Sequence, residues 1–291
     1  MHTTVPQSYH TDNPLLIFVC AYHQEALTLI EHFTLKKNTR LSRLNYYQND
    51  RLALIETGPG KLNAASATAY IAGKYQIDKS AWLNVGIAGH PTQTIGNGLL
   101  CHKITDAHTQ ETFFPDMGLK GSIATQALMS VDKAETDYSQ ACLYDMEASG
   151  FFSSVSRFTT IEFIQSFKIV SDNKAKNIKE FNKKDTHKLL KQNIDPIEYL
   201  VKDLCREIET YRDINREPQE YADYLRDLHF TVSQQTQLKN ILRRWFALTE
   251  ASLLTIFPTD NFIDSKQCLR ELTRHVDTFS RKNGHLTTKG Q

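Results

Sequence analysis

From Leu15 to Ala21 every position is apolar (LLIFVCA), the pattern of a strand covered on both faces. The polar residues 1–13 before it read as a loose segment. The run lacks a basic flank and is too short to cross a bilayer. At Tyr22-His23-Gln24-Glu25 the spacing changes, and Leu27, Ile30 and Phe33 predict a helix, which puts Glu25 at a strand-to-helix junction. Two strands, Leu44 to Gln48 and Leu52 to Glu56, hinge at Asn49-Asp50. The second ends in Thr57-Gly58-Pro59-Gly60-Lys61 and a small-residue helix beginning Asn63-Ala64-Ala65-Ser66-Ala67. Ala81 to Val85 reads as another strand, broken by Gly86-Ile87-Ala88-Gly89. After the turn Gly96-Asn97-Gly98 come a strand from Leu99 to Ile104, a loop with His108, Phe113, Phe114 and Pro115, and a strand around Ile123 to Met129.

The stretch from Cys142 to Asp172 organises the rest. Asp145-Met146-Glu147-Ala148-Ser149 opens an apolar helical segment, and a short strand, Phe167 to Val170, ends on Ser171-Asp172. In open α/β sheets ligands bind just outside the carboxyl ends of strands, where Asp172 falls. An acid in the first turn of a helix is also favoured by the helix dipole alone, so Glu25 and Glu147 each have a second, purely structural reading. The alternation of strand and helix indicates an α/β fold. Beyond residue 178 the pattern is nearly all helical. Ile194 to Tyr211 reads as a closing helix with Pro196 in its first turn. Thr231 to Ile256 carries Leu238, Ile241, Leu242, Trp245 and Leu248 at helical spacing, a stripe suited to core or subunit contact rather than a cofactor. The tail from Arg281 reads as frayed.

Composition narrows the classes. The 291 residues suffice for one large domain or two small ones. Lys plus Arg (34) balance Asp plus Glu (33), so no overall basic field argues for nucleic acid or an anionic membrane, although a local patch stays open. Five widely spaced cysteines without a CxxC pair predict reduced thiols in a cytoplasmic protein. No ligand spacing implies a metal or redox cofactor. Thr57 to Lys61 is not a Walker A loop, because no glycine stands five residues before Gly60 and neither Ser nor Thr follows Lys61.

Four segments, in this order, resemble the nucleoside phosphorylase/nucleosidase superfamily, most closely its methylthioadenosine/S-adenosylhomocysteine nucleosidase branch. Cys20-Ala21-Tyr22-His23-Gln24-Glu25 is similar to the branch's Gly-Ala-Met-x-x-Glu, and Thr57-Gly58-Pro59-Gly60-Lys61 to its Gly-x-Gly-Lys turn. Asn84 to Gly89 with Ile95-Gly96-Asn97-Gly98 is similar to the Gly-Ser/Thr-Ala-Gly motif and the Val-Gly-Asp after it. Asp145-Met146-Glu147-Ala148 and Ser171-Asp172 match the Met-Glu and Ser-Asp signatures. The resemblance implies a three-layer α/β/α domain over residues 1–210 with a central mixed, twisted sheet, followed by a helical extension over 211–291. It also implies a homo-oligomer, a dimer among the options, that cleaves the N-glycosidic bond of a purine-type nucleoside. Carried over residue by residue, Glu147 would bind the ribose hydroxyls and Met146 would pack on the sugar. Asp172 would bond to, or protonate, N7 of the base, and Glu25 would position or deprotonate water. Ala88, Gly89 and Ser171 would line the substrate. From the residues alone, the loop side chains His108, Phe113 and Phe114 either cap the base or sugar or are ordinary packing.

The chemistry agrees. Breaking the C–N bond builds positive charge on the sugar, which a carboxylate stabilises, and the base leaves neutral only when an acid supplies a proton. Burial beside Val170 is expected to make Asp172 that acid. The sequence departs from the family at Ile87 (for Ser or Thr), at Ala175 (for the second Asp) and at Ser130-Val131-Asp132-Lys133, which does not match the adenine loop. Hydrolysis is favoured over phosphorolysis, because the strand-end turns hold no arginine, Lys61 is their one cation, and Glu25 would repel phosphate. Arg40, Arg43 or Arg51 reaching in would favour the phosphorylase. A non-catalytic nucleoside-binding or scaffold protein is the reading from another class. The extension could cover the site, bind a partner or build a dimer.

Overall fold

The apolar run becomes β1 (Leu16–Cys20), buried at every position. The computed structural model describes residues 14–40, 44–75, 79–118, 121–176 and 185–284, so Arg43 and the segments 1–13 and 285–291 lie outside the described residues. Two compact units divide the chain, Met1–Tyr211 and Arg212–Gln291.

In the first unit β1 is joined in one sheet by β2 (Lys36–Lys37), β3 (Asn45–Gln48), β4 (Leu52–Glu56), β5 (Ala81–Gly89) and β6 (Gly98–Asp106). The remaining strands are β7 (Thr112–Phe113), β8 (Thr125–Ser130), β9 (Leu143–Asp145) and β10 (Ile164–Asp172). The order is β10-β6-β8-β9-β5-β1-β4-β3-β2, with β7 on β6. Because β10 also pairs with β5, strands β5, β10, β6, β8 and β9 form a closed circuit. Pairing is mixed: β1 is parallel to β4 and β5, and β5 to β10, whereas β6 runs antiparallel to β10.

The period of two sorts side chains into the layers on either face. Leu16, Phe18 and Cys20 enter a core with α1 (His23–His32), α4 (Asp185–Gln192) and α5 (Ile194–Ile214), which contribute Leu29, Leu190 and Leu200. Ile17 and Val19 enter the opposite core, against α2 (Lys61–Tyr75) and α3 (Ala148–Val155), with Ile71, Phe151 and Phe152. Each such side chain, fully buried, contributes about 1.5–3 kcal/mol.

The sequence reading missed the short strands β2, β7 and β9, and β5 and β10 extend beyond their predicted bounds. β5 does not break at Gly86 but continues to Gly89, because β10 pairs with it from Gly86 to Gly89 and β9 joins it at Gly89, and that pairing outweighs the low strand preference of glycine. β10 begins at Ile164, three residues before the predicted start, and includes the polar Gln165, Ser166 and Lys168, all buried. Near its end the register slips: Val170 faces Ala88 and Asp172 faces Gly89, leaving Ser171 as the extra residue of a bulge.

The second unit packs α6 (Tyr221–Asp227), α7 (Val232–Thr249) and α8 (Ser265–Gly284) around Tyr224, Leu238, Leu242, Trp245, Leu272 and Val276. The predicted stripe on α7 lies in or against this core through Trp245, but Leu248 is exposed, and the helix stops at Glu250, which is left-handed (φ 55°). Thr231 and Gln234 close the other end with a reciprocal capping box.

Candidate active site

The ends of β1, β5, β9 and β10 converge on a cavity of about 200 Å³. The α1 junction contributes Tyr22, Gln24 and Glu25; β5 contributes Ile87, Ala88 and Gly89. The β9–α3 turn adds Asp145, Met146 and Glu147, the bulge of β10 adds Ser171 and Asp172, and α4 adds Thr186. Val131, Ala134, Glu135 and Tyr144 close the remaining side. Of the residues singled out in the sequence, Phe113 and Phe114 stand apart. Phe113 belongs to the β6–β7 hairpin and packs on Phe152 with ring centroids 5.9 Å apart, and Phe114 is exposed. His108 is likewise exposed; its N–H caps Asp106.

Glu25 is 3% exposed. One oxygen accepts the N–H groups of Ala21 and Tyr22, each at 2.9 Å, and the other accepts that of Ile87 at 3.0 Å. It therefore ties the start of α1 to β5, and the backbone of Ile87 serves it despite the lost hydroxyl. Burial pushes its carboxyl upward, opposed by Lys168 and the three backbone donors.

Glu147 is held by a turn far away in sequence. The N–H of Gly60 donates to it at 2.9 Å and that of Met146 at 3.3 Å. Gly60 has φ +100°, a conformation that glycine adopts without a steric penalty, so the Gly-Pro-Gly turn exists to aim this N–H. Burial, followed by the negative charge of Asp145, pushes Glu147 up to about 7.

Beneath these acids lies a cation that the motifs did not single out. Lys168, on β10, is 1% exposed and meets Asp145 at 2.9 Å. Burial works against its charge, yet Asp145, Glu147 and Glu25 outweigh it and hold the ammonium above the ordinary lysine value. A lysine inside the otherwise apolar run Phe167 to Val170 was the available signal, since a buried ammonium requires a counter-charge. Asp145 also accepts the Ser130 hydroxyl at 2.6 Å and the Ala148 N–H at 2.9 Å, fixing the first turn of α3.

Asp172, 3% exposed, accepts hydroxyls on both oxygens, from Ser171 on one and Tyr138 on the other. Lys61 does not line the cavity: its ammonium lies 3.0 Å from Asp106 and 2.6 Å from Asp132. Arg51 pairs with Glu209 at 2.8 Å. Among the described residues lining the cavity there is neither lysine nor arginine. Among the described residues no group of three or more His, Cys, Asp or Glu is arranged to hold a metal ion, and no helix is long and apolar enough to cross a membrane.

No protein-family model and no curated protein matches the sequence. Solved structures do. A methylthioadenosine/S-adenosylhomocysteine nucleosidase from Neisseria meningitidis, in complex with methylthio-immucillin-A, is 18% identical with TM-score 0.53, over 65% of this chain and 98% of that one. The methylthioadenosine nucleosidase of Arabidopsis thaliana is 17% identical with TM-score 0.54, over 65% and 97%. Futalosine hydrolase from Helicobacter pylori is 14% identical with TM-score 0.50, over 62% and 97%. The chain has the fold of the nucleoside phosphorylase/nucleosidase superfamily, a mixed sheet between helical layers, with additional helices at its C-terminal end.

Proposed function

We propose that the cavity is the active centre of a nucleosidase that hydrolyses the N-glycosidic bond of a purine-type nucleoside. The observation that carries the reading is the meeting of Glu25, Glu147 and Asp172, from three separate stretches of chain, around one enclosed space. Glu147, aimed by Gly60, binds the ribose hydroxyls, and Met146 packs on the sugar. As the C1′–N bond breaks, its electron pair goes to the base and positive charge grows on the sugar, which the carboxylates stabilise. Water adds to C1′ and its proton passes to Glu25. Asp172 gives its proton to N7 of the leaving base and, left as a carboxylate, accepts the new N–H. Lys168 takes no part in bond breaking; it is a positioning residue that lets Glu25, Asp145 and Glu147 share one site.

Hydrolysis is favoured over phosphorolysis because the lining offers a phosphate dianion no lysine or arginine, and Lys61 and Arg51 are engaged elsewhere. A homo-oligomeric assembly and a cytoplasmic location belong to the same reading, and five buried, free cysteines accord with a reducing compartment. The test is release of free base from methylthioadenosine, S-adenosylhomocysteine, adenosine, inosine and uridine, with and without phosphate. Release without phosphate, reduced at least a hundredfold in folded Glu147→Gln, is expected. Release only with phosphate would make the protein a phosphorylase. Binding without turnover would make it a nucleoside-binding scaffold.

A further inference from the structure

Between Asp132 and Ala141, one side chain is buried: Tyr138, 2% exposed in a run of otherwise exposed or half-exposed residues. Its backbone is left-handed (φ 48°), unusual for a bulky residue, so the segment turns inward at this point at some steric cost. Its ring lies on Gly89, where an added Cβ would come within 2.8 Å of the ring and 2.9 Å of the Asp172 carboxylate. The Tyr144 ring meets it edge-on at 5.8 Å. Its hydroxyl donates to the Asp172 oxygen that Ser171 does not occupy. The neighbours Glu135, Thr136 and Asp137 bond locally, the Glu135 carboxylate capping the N–H groups of the next two residues at 2.8 Å. Ala134 and Glu135 themselves line the cavity.

A flat aromatic ring that lies on Gly89 and presents one X–H donor to Asp172 has the chemistry of a departing heteroaromatic base with its newly acquired N–H. We infer that Tyr138 is an internal stand-in for the leaving base, and that segment 131–142 is a latch which must release Asp172 before a nucleoside is accommodated. The inference rests on the nucleosidase reading of the cavity, and adds to it a competitor carried by the chain itself. It has a sign opposite to that of a base-contacting or proton-relaying tyrosine: removing the phenolic hydroxyl frees the site instead of impairing it. A hydrogen bond to a charged group is worth enough to change the closed population by about tenfold.

The experiment compares wild-type protein with Tyr138→Phe and Tyr138→Ala, measuring kcat/KM for base release from methylthioadenosine and hydrogen exchange of the 131–142 amides with and without adenine. The latch predicts a rise of about tenfold in kcat/KM for Tyr138→Phe, mostly through KM, with at least as large a rise for Tyr138→Ala. It also predicts faster exchange across 136–140 when adenine is added to wild type. Turnover in the variants but not in wild type would support the latch equally. An unchanged or lowered kcat/KM in Tyr138→Phe, or slower exchange of the segment with adenine, would overturn it. Should no variant release base from any nucleoside, the nucleosidase reading fails separately, and exchange of the unliganded proteins decides the latch. Exchange about tenfold faster in Tyr138→Phe sustains a closing contact with Asp172, and equal exchange removes it.

Discussion

Lys168 and Asp145 form an ion pair of 2.9 Å with neither side chain more than 2% exposed, directly under the cavity that Glu25 and Glu147 line. Two buried charges stabilise a fold little in net terms, because desolvation offsets their attraction, but removing one partner leaves the other uncompensated. Lys168→Met is therefore expected to cost about 3–5 kcal/mol and to abolish base release. Lys168→Met with Asp145→Asn should recover part of that stability and none of the activity. Urea unfolding of wild type, Lys168→Met, Asp145→Asn and the double variant measures the coupling; full additivity would remove the pair from this role.

Glu147 gives a pH signature with a definite sign. Its carboxyl is raised in the folded protein, to about 7 from an ordinary value of 4.5, so the folded state holds the proton more tightly than the unfolded chain. The advantage is present in full below the unfolded value and disappears as pH rises through about 7. Glu147→Gln should accordingly raise Tm by several degrees at pH 8 and by much less at pH 4. A Tm difference that is flat with pH would contradict the raised carboxyl.

Asp106 shows the opposite sign. Burial alone would raise it, but the Thr109 N–H, the Lys61 ammonium, the Ser149 hydroxyl and the His108 N–H together hold it well below the usual carboxylate range. Its stabilisation is complete above the unfolded value and is lost as pH falls through the folded one. Asp106→Asn should cost about 2–3 kcal/mol at pH 7, with the gap closing toward pH 2. Thermal unfolding of both proteins across that range reads it directly.

Gly60→Ala tests the aim of Glu147. The φ of +100° penalises any side chain by roughly 1–3 kcal/mol, and relaxation of the turn moves the N–H away from the carboxylate. KM for nucleoside should rise more than kcat falls, because the contact proposed for Glu147 is to the sugar.

Much of this was legible in the chain. Uninterrupted apolar runs located β1 and β4, and the short motifs placed Glu25, Glu147 and Asp172 at element junctions, where the structure has them. What failed depended on partners distant in sequence. Gly86 to Gly89 reads locally as a breaker and is a strand because β10 pairs along it and β9 joins at Gly89. Phe113 read equally as a pocket cap or as packing; it lies in β7 and packs on Phe152, and aromatic character in a loop does not say which way the hairpin folds. Tyr138 gave no local sign at all: its partner, Asp172, is 34 residues away.

The bulge at Ser171 separates shape from chemistry. Pairing from Ile164 to Val170 fixes the strand, whereas the one additional residue sets the direction in which the next carboxylate points. Deleting Ser171 should leave a protein with unchanged far-ultraviolet circular dichroism and a misdirected Asp172. One residue thus separates what the sheet needs to fold from what the proposed reaction needs to proceed.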